Sequence, residues 1–545
     1  MKKSRFILLA GVMLASAVMV TACKTGGNDG GSGVYGPDYS AYTDQFELYG
    51  YSAASDGKYT IDGTEYTVGE SFLTTEQYQI YKNAGFNVFF PQSKYMIYGE
   101  SGSMTGNSEE QERFYASRET DWEWISEELD KLESVGITKT IFYDQDISWL
   151  GLNGNTGNPL VGAGMKYATE EALDEQVYNL VKLYAEDERV HGIMLADEPK
   201  HAVLASYADL YHSIQRVNEK YGYHLYIHFN LNPLFANRLL YEDYYPAVEG
   251  TPPTFAAIGT STADQFRYSF IRYKQYIEDF LDEMQPTSIQ YDDYPLRKSG
   301  STNYIKDTYI PCIQYVAGVA RDRNIDFRIV TQTFDMDVNG NRDTQTLTEA
   351  GAKWLNNMII GFGAKSISYF TYFTKADNRT TGEAFVDGGS FLTKYGQKTK
   401  IYDMMQKVLT NAQKFAPTVL QFKYQKSGVF QSEVRNFTDN YLAYVEDINE
   451  QTYTKVKSVS VNKESAMVNE LYDAKNDRYM YMAMNIVDPL QKGSPAYQTI
   501  TLEFSSEYKY AAVYKDGGVL YYKLKDNKLD IKGAPGDASF VIPFN

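Results

Sequence analysis

Asp197, Glu198 and Pro199 close the run His191-Gly192-Ile193-Met194-Leu195-Ala196. A short apolar run of this kind reads as a buried parallel strand. The two carboxylates sit where that strand leaves its sheet. A carboxyl crowded by burial and by a second carboxylate holds its proton toward neutral pH. That is what a general acid needs to cleave an acetal. Glu198 is the candidate proton donor. The structural alternative is that Asp197-Glu198-Pro199 caps the next helix, since proline after an acidic residue is common at a helix start.

Acetal cleavage also needs a second group, either a nucleophile or the base for a water. Tyr291-Asp292-Asp293-Tyr294-Pro295 ends another strand-like run and offers Asp292 or Asp293. A separation from Glu198 of about 5 Å would imply retention and roughly 6.5–9.5 Å inversion. Asp335 and Asp337 are further candidates in a loop. Asn230, Asn232, Tyr294, Tyr369 and Tyr372 lie at other strand ends, as do Asp144 and Asp146, with Trp149 as a stacking platform. Amides and aromatics suit sugar hydroxyls and ring faces. Singly, each of these reads as structural; as a set around one rim they suggest a polar pocket. The five histidines show no His-Glu-x-x-His spacing, and no cysteine cluster, phosphate loop or nucleophile elbow appears, so neither metal nor cofactor is expected. His228, on an apolar strand, reads as a satisfied core histidine. Asp335 to Asn341 resembles the start of a calcium loop but lacks its glutamate and reads as a turn.

The elements that must position these groups alternate. Strand-like runs occur at Phe46 to Tyr51, Phe86 to Phe90, Ile137 to Tyr143, around Ile193, His224 to Asn230, Ser288 to Tyr291, Phe327 to Thr333 and Ser366 to Phe373. Helical stripes separate most of them. Thr74 with Gln77 predicts a capping box, and Thr169 precedes Glu170 and Glu171 at a helix start. Eight alternating units over residues 44–415 predict an α/β fold, a (β/α)8 TIM barrel, with Glu198 after its fourth strand. A doubly wound sheet is the alternative, but Tyr49-Gly50-Tyr51-Ser52 is no glycine-rich phosphate turn. Residues 416–545 carry short alternating runs, with Asp516-Gly517-Gly518 as a hairpin turn and a break at Pro535-Gly536, and predict an antiparallel β-sandwich.

The first 23 residues read as a signal rather than as fold. Lys2, Lys3 and Arg5 precede an apolar stretch from Phe6 to Met19. Val20-Thr21-Ala22-Cys23 resembles a bacterial lipobox, which implies a lipid on Cys23, a membrane anchor and an extracytoplasmic location. Residues 24–43 begin as a glycine-rich tether. Removing the three basic residues would carry the net charge from −18 to −21. That balance argues against nucleic acid as a partner. With Cys23 lipidated, Cys312 has no cysteine to pair with.

Three motifs give the chain a resemblance to the clan A glycoside hydrolases. In those enzymes a Glu-Pro after the fourth strand, usually preceded by Asn, supplies the acid/base; here it is Glu198, with Asp197 in place of Asn. Gly363-Ala364-Lys365-Ser366-Ile367-Ser368-Tyr369-Phe370-Thr371-Tyr372 and Tyr291-Asp292-Asp293-Tyr294-Pro295 resemble the eighth and sixth strands of barrels related to family 42 β-galactosidases. The resemblance implies a glycoside hydrolase with a carbohydrate substrate. It departs from the clan at the seventh strand, where Gln332 in Ile329-Val330-Thr331-Gln332 takes the place of the nucleophilic glutamate. An amide is not a useful nucleophile. Asp292 or Asp293 could replace it, Asp197 could orient a substrate acetamido group that attacks its own anomeric carbon, or the barrel could bind glycan without cutting it. A solute-binding lipoprotein of a sugar importer is the rival from another class, and would have two hinged lobes.

Overall fold

The computed structural model describes residues 36–37, 46–51, 58–61, 64–67, 73–91, 96–97, 99, 107–152, 167–234, 244–259, 261–375, 382–435, 439–490 and 497–545. The signal, Cys23 and nearly all of the tether lie outside them. Among the described residues no helix is long and apolar enough to cross a membrane.

Up to residue 419 the chain is mixed α/β. Its parallel strands are β1 (Glu47–Tyr51), β2 (Thr140–Asp144), β3 (Val190–Asp197), β4 (Tyr226–Asn230), β5 (Ser288–Asp292), β6 (Asp326–Gln332) and, after the short β7 (Met336–Val338), β8 (Ser366–Phe370). β1, β8, β6 and β5 form one parallel sheet, and β2, β3 and β4 belong to another. Backbone hydrogen bonds join the two sheets at both edges. Leu231 N–H donates to Gln290 O at 2.9 Å, linking β4 to β5. Segment 87–89 bridges the other edge: Val88 N–H donates to Leu48 O at 3.2 Å and Phe89 N–H to Lys139 O at 2.9 Å.

Helices lie between the strands: α1 (Thr75–Asn83), α2 (Ser108–Ser134), α3 (Gln145–Leu152), α4 (Glu170–Val181), α5 (Leu204–Tyr221), α6 (Thr262–Met284), α7 (Tyr309–Arg323), α8 (Glu349–Gly361) and α9 (Lys400–Val419). Thr169 caps α4 by accepting from Ala172 N–H. Thr74 caps α1 by accepting from Gln77 N–H, but Gln77 Oε1 has no partner, so only half of the predicted box forms. Side chains alternate across each strand. Tyr49, Tyr51, Ile141, Met194 and Val330 pack on the inner face. Leu48, Phe142, Ile193, Ile289 and Ile367 pack outward, against the helices.

Further strands are β9 (Glu383–Phe385), β10 (Lys423–Gln431), β11 (Val456–Val461), β12 (Ser465–Asp473), β13 (Arg478–Asn485), β14 (Gln498–Phe504), β15 (Tyr510–Lys515), β16 (Gly518–Lys523), β17 (Lys528–Gly533) and β18 (Ala538–Phe544). β7 and β9 pair in a small antiparallel sheet. β10-β12-β13-β18-β15-β16 and β11-β14-β17 form two antiparallel sheets. Val468, Tyr481 and Val541 of the first meet Ile500, Leu502 and Ile531 of the second in one core. The predicted turn forms between β15 and β16, with positive φ at Asp516 and Gly517. The opposite face of the six-stranded sheet joins the main core through Met467, Met480, Met482, Met484 and Phe540. Trp354 Nε1–H donates to Ile486 O at 3.0 Å across this junction. A Cβ on Gly361 would lie 2.0 Å from Met482 Sδ, so a side chain there would push the methionine aside.

Candidate active site

Strand alternation decides which acids face inward. Gln290 and Asp292 share the inner face of β5, and Asp293 has the opposite parity. Asp292 is buried on that inner side. Asp293 turns outward, where Lys306 Nζ lies 2.8 Å from it. The two candidates are thereby separated, and Asp293 is a paired structural anion.

β3 reaches the site through a bulge. Met194 pairs with His228 and Ala196 with Phe229, leaving Leu195 as an extra residue. The insertion resets the alternation. Asp197 then pairs with Asn230 and shares its inner face. Glu198 follows with φ 47°, a conformation uncommon for a residue with a side chain. Its N–H donates to Asn230 O at 2.7 Å. Pro199 O accepts from Tyr276 Oη–H at 2.8 Å and from Asn232 Nδ2–H at 3.3 Å. The turn carrying Glu198 is therefore held from both sides.

Glu198 and Asp292 meet directly, as hydrogen-bonding partners. Two carboxyls at that range need a proton between them. They are closer than either glycosidase spacing allows. Burial first, then the Asp197 charge, pushes Glu198 up to about 7, while the hydrogen bond with Asp292 works against the rise. Burial, then Glu198 and Asp197, holds Asp292 well above the usual carboxylate range. Tyr294 hydrogen-bonds Asp292, and Asp292 Oδ1 has no partner of good geometry. Asp197 is raised by burial and steadied by Asn230 Nδ2–H at 3.0 Å. Asp197 and Glu198 reach solvent, yet burial is the largest cause of both shifts. Glu198 and Asp197 are exposed while Asp292 beside them is buried, so the group spans the boundary between solvent and interior. Asp292 forms the floor and Glu198 the accessible member.

Several predicted site residues lie elsewhere. Asp144 has outward parity and accepts two hydrogen bonds from Arg118, at 3.0 and 2.7 Å, and one from Tyr184 at 2.8 Å. Arg118 also binds Asp146. Gln332 uses both amide atoms on the Leu296 backbone, at 2.7 and 3.0 Å, so it presents nothing to a ligand. Tyr369 faces the helices and donates to Asn356 Oδ1 at 2.7 Å. Tyr372 is buried against Tyr81, Phe86 and Phe391. Asn232 supports Pro199 from behind. Trp149 is half exposed on α3. Asp335 and Asp337 pair with Arg342 beside the turn at Asn339 and Gly340. His228 is only partly satisfied: Nε2 contacts Tyr49 and Gln290, while Nδ1 has no partner.

Four residues around Asp197 and Glu198 were missed. Tyr51 hydrogen-bonds Asp197, weakly enough that its hydroxyl lacks ideal geometry, and Tyr143 lies next to Tyr51. Both follow from alternation along β1 and β2. Lys375 sits 4.6 Å over the Phe370 ring, with Asp197 and Glu383 acting on its charge. Glu383 is on β9. Neither Lys375 nor Glu383 belongs to a periodic run that sequence could place at the mouth. Among the described residues no three His, Cys, Asp or Glu side chains are disposed to hold a metal ion.

No protein-family model and no curated protein matches the sequence. Among solved structures, a GH27 β-L-arabinopyranosidase from Geobacillus stearothermophilus aligns over 93% of this chain and 97% of its own, at 9% identity and TM-score 0.42. An Anoxybacillus α-amylase aligns over 93% and 99%, at 9% and 0.39. A GH30 endoxylanase from Clostridium papyrosolvens aligns over 92% and 97%, at 8% and 0.35. At these scores the likeness carries no argument.

Proposed function

We propose that the chain is a glycoside hydrolase. Its two edge-joined parallel sheets are a (β/α)8 barrel with the site at the carboxyl ends of the strands. It acts on an oligo- or polysaccharide outside the cytoplasm, held to a membrane through lipidated Cys23. The observation that carries this reading is geometric: solvent-accessible Glu198, on a clamped turn after a strand bulge, stands beside Asp197 and buried Asp292. Glu198 is the member a sugar can reach and donates to the leaving oxygen. Asp292 beneath it steadies that proton. Tyr143 and Tyr294, both partly exposed, provide hydroxyls and ring faces beside it, and buried Tyr51 supports Asp197.

Hydrogen bonds across both sheet edges leave no hinge between two lobes, which speaks against a solute-binding architecture. A barrel that holds glycan without cutting it is the second reading, and the commitment of Gln332 to the Leu296 backbone favours it. Turnover of a glycan panel by the wild type and by Glu198→Gln decides between them. The hydrolase reading expects kcat to fall by about 100-fold or more in the variant, with calorimetric glycan affinity retained. Binding without turnover in the wild type would establish the second reading.

A further inference from the structure

We propose that Glu383 is the carboxylate that opposes Glu198 across the mouth and takes the proton of the attacking water. This rests on the hydrolase reading above and supplies the group that reading lacks. Gln332 is tied to a backbone, Asp293 is paired with Lys306, and Asp292 touches Glu198, so it leaves no room for a sugar between them. β9 brings another acid. It pairs with β7, with Glu383 opposite Val338 and Phe385 opposite Met336.

Glu383 and Phe385 are two residues apart and so share one face of β9. Phe385 packs against Phe334 at 5.8 Å and Phe370 at 6.2 Å. Phe370 in turn packs on Tyr294, which holds Asp292. That face of β9 is therefore turned to the wall of the mouth, and Glu383 with it. Lys375, over the Phe370 ring, feels both Glu383 and Asp197. Glu383 acts on Glu198 through space, as a like charge, with no hydrogen bond between them.

In the step proposed, the water oxygen bonds to the anomeric carbon and its proton passes to Glu383. The bond from that carbon to the leaving oxygen breaks, and Glu198 gives its proton to that oxygen. The anomeric configuration inverts. Two measurements on the full chain test the assignment. The first uses para-nitrophenyl glycosides. Glu383→Ala should lose about 100-fold in kcat, azide should raise the variant's rate by forming a glycosyl azide, and the wild-type product should be inverted. The second needs no turnover. Infrared titration, with Glu198 assigned by its loss in Glu198→Gln, should show its midpoint moving to lower pH in the isosteric Glu383→Gln, because a like charge is gone. An unmoved midpoint, wild-type kcat in Glu383→Ala, loss without azide rescue or a retained product each overturns the role of Glu383. A wild type inert on every glycoside removes the hydrolase reading, and the catalytic role of Glu383 with it.

Discussion

Asp292 and Asp293 are neighbours of the same chemical type with opposite fates. One faces inward and shares a proton with Glu198; the other faces Lys306 and is spent on structure. The difference is the period of a strand. Asp197 is the second influence on Glu198 after burial, which makes it the handle on the acid. On the hydrolase reading, activity falls as pH rises through about 7, where Glu198 gives up its proton. Asp197→Asn removes the like charge, so that alkaline limb moves to lower pH in a kcat profile; a limb that stays in place or moves upward refutes the coupling. Glu198 was legible as a candidate because its apolar run is the fourth of eight predicted strands; the tripeptide alone fits a helix cap equally well. The burial of Asp144 was not, because its partner Arg118 lies 26 positions upstream on a helix.

The turn that presents Glu198 depends on two devices. The bulge at Leu195 reorients the end of β3, and the clamp on Pro199 O fixes the turn beyond it. Tyr276→Phe removes one of the two clamp bonds while keeping the ring. The expected cost is about 1 kcal/mol of stability. On the hydrolase reading, kcat should fall by about tenfold with KM nearly unchanged. A loss shown only in denaturant midpoints would make Tyr276 purely structural. Strand and helix identities were largely readable, since alternation and caps are local. The bulge was not, because it exists only as a mismatch of register with β4. The small sheet of β7 and β9 was hidden for a similar reason: its strands are three residues each and pair across 45 to 49 positions.

At the scale of the whole molecule, the strand interior carries a polar network with a pH signature. His191 and His228 are held down, to about 4 and about 3, by burial above all. Unfolded imidazoles bind protons near pH 6.5, which the folded ones refuse. Stability is therefore full above that value and declines as pH falls toward the folded values. For His228 alone the loss at pH 5 relative to pH 7 is about 2 kcal/mol. Urea midpoints should drop more steeply on acidification in the wild type than in His228→Gln; equal slopes would show that His228 is not the sensor.

Away from its exposed edge strand β16, the six-stranded sheet is covered on both faces: one side closes the sandwich core, the other meets α8 through Met482 and α9 through Phe540. It is a party wall, owned by both rooms. Neither half can be excised without stripping that wall bare, and a hydrophobic surface so uncovered invites aggregation. What looks along the sequence like two exchangeable modules must fold and unfold as one body.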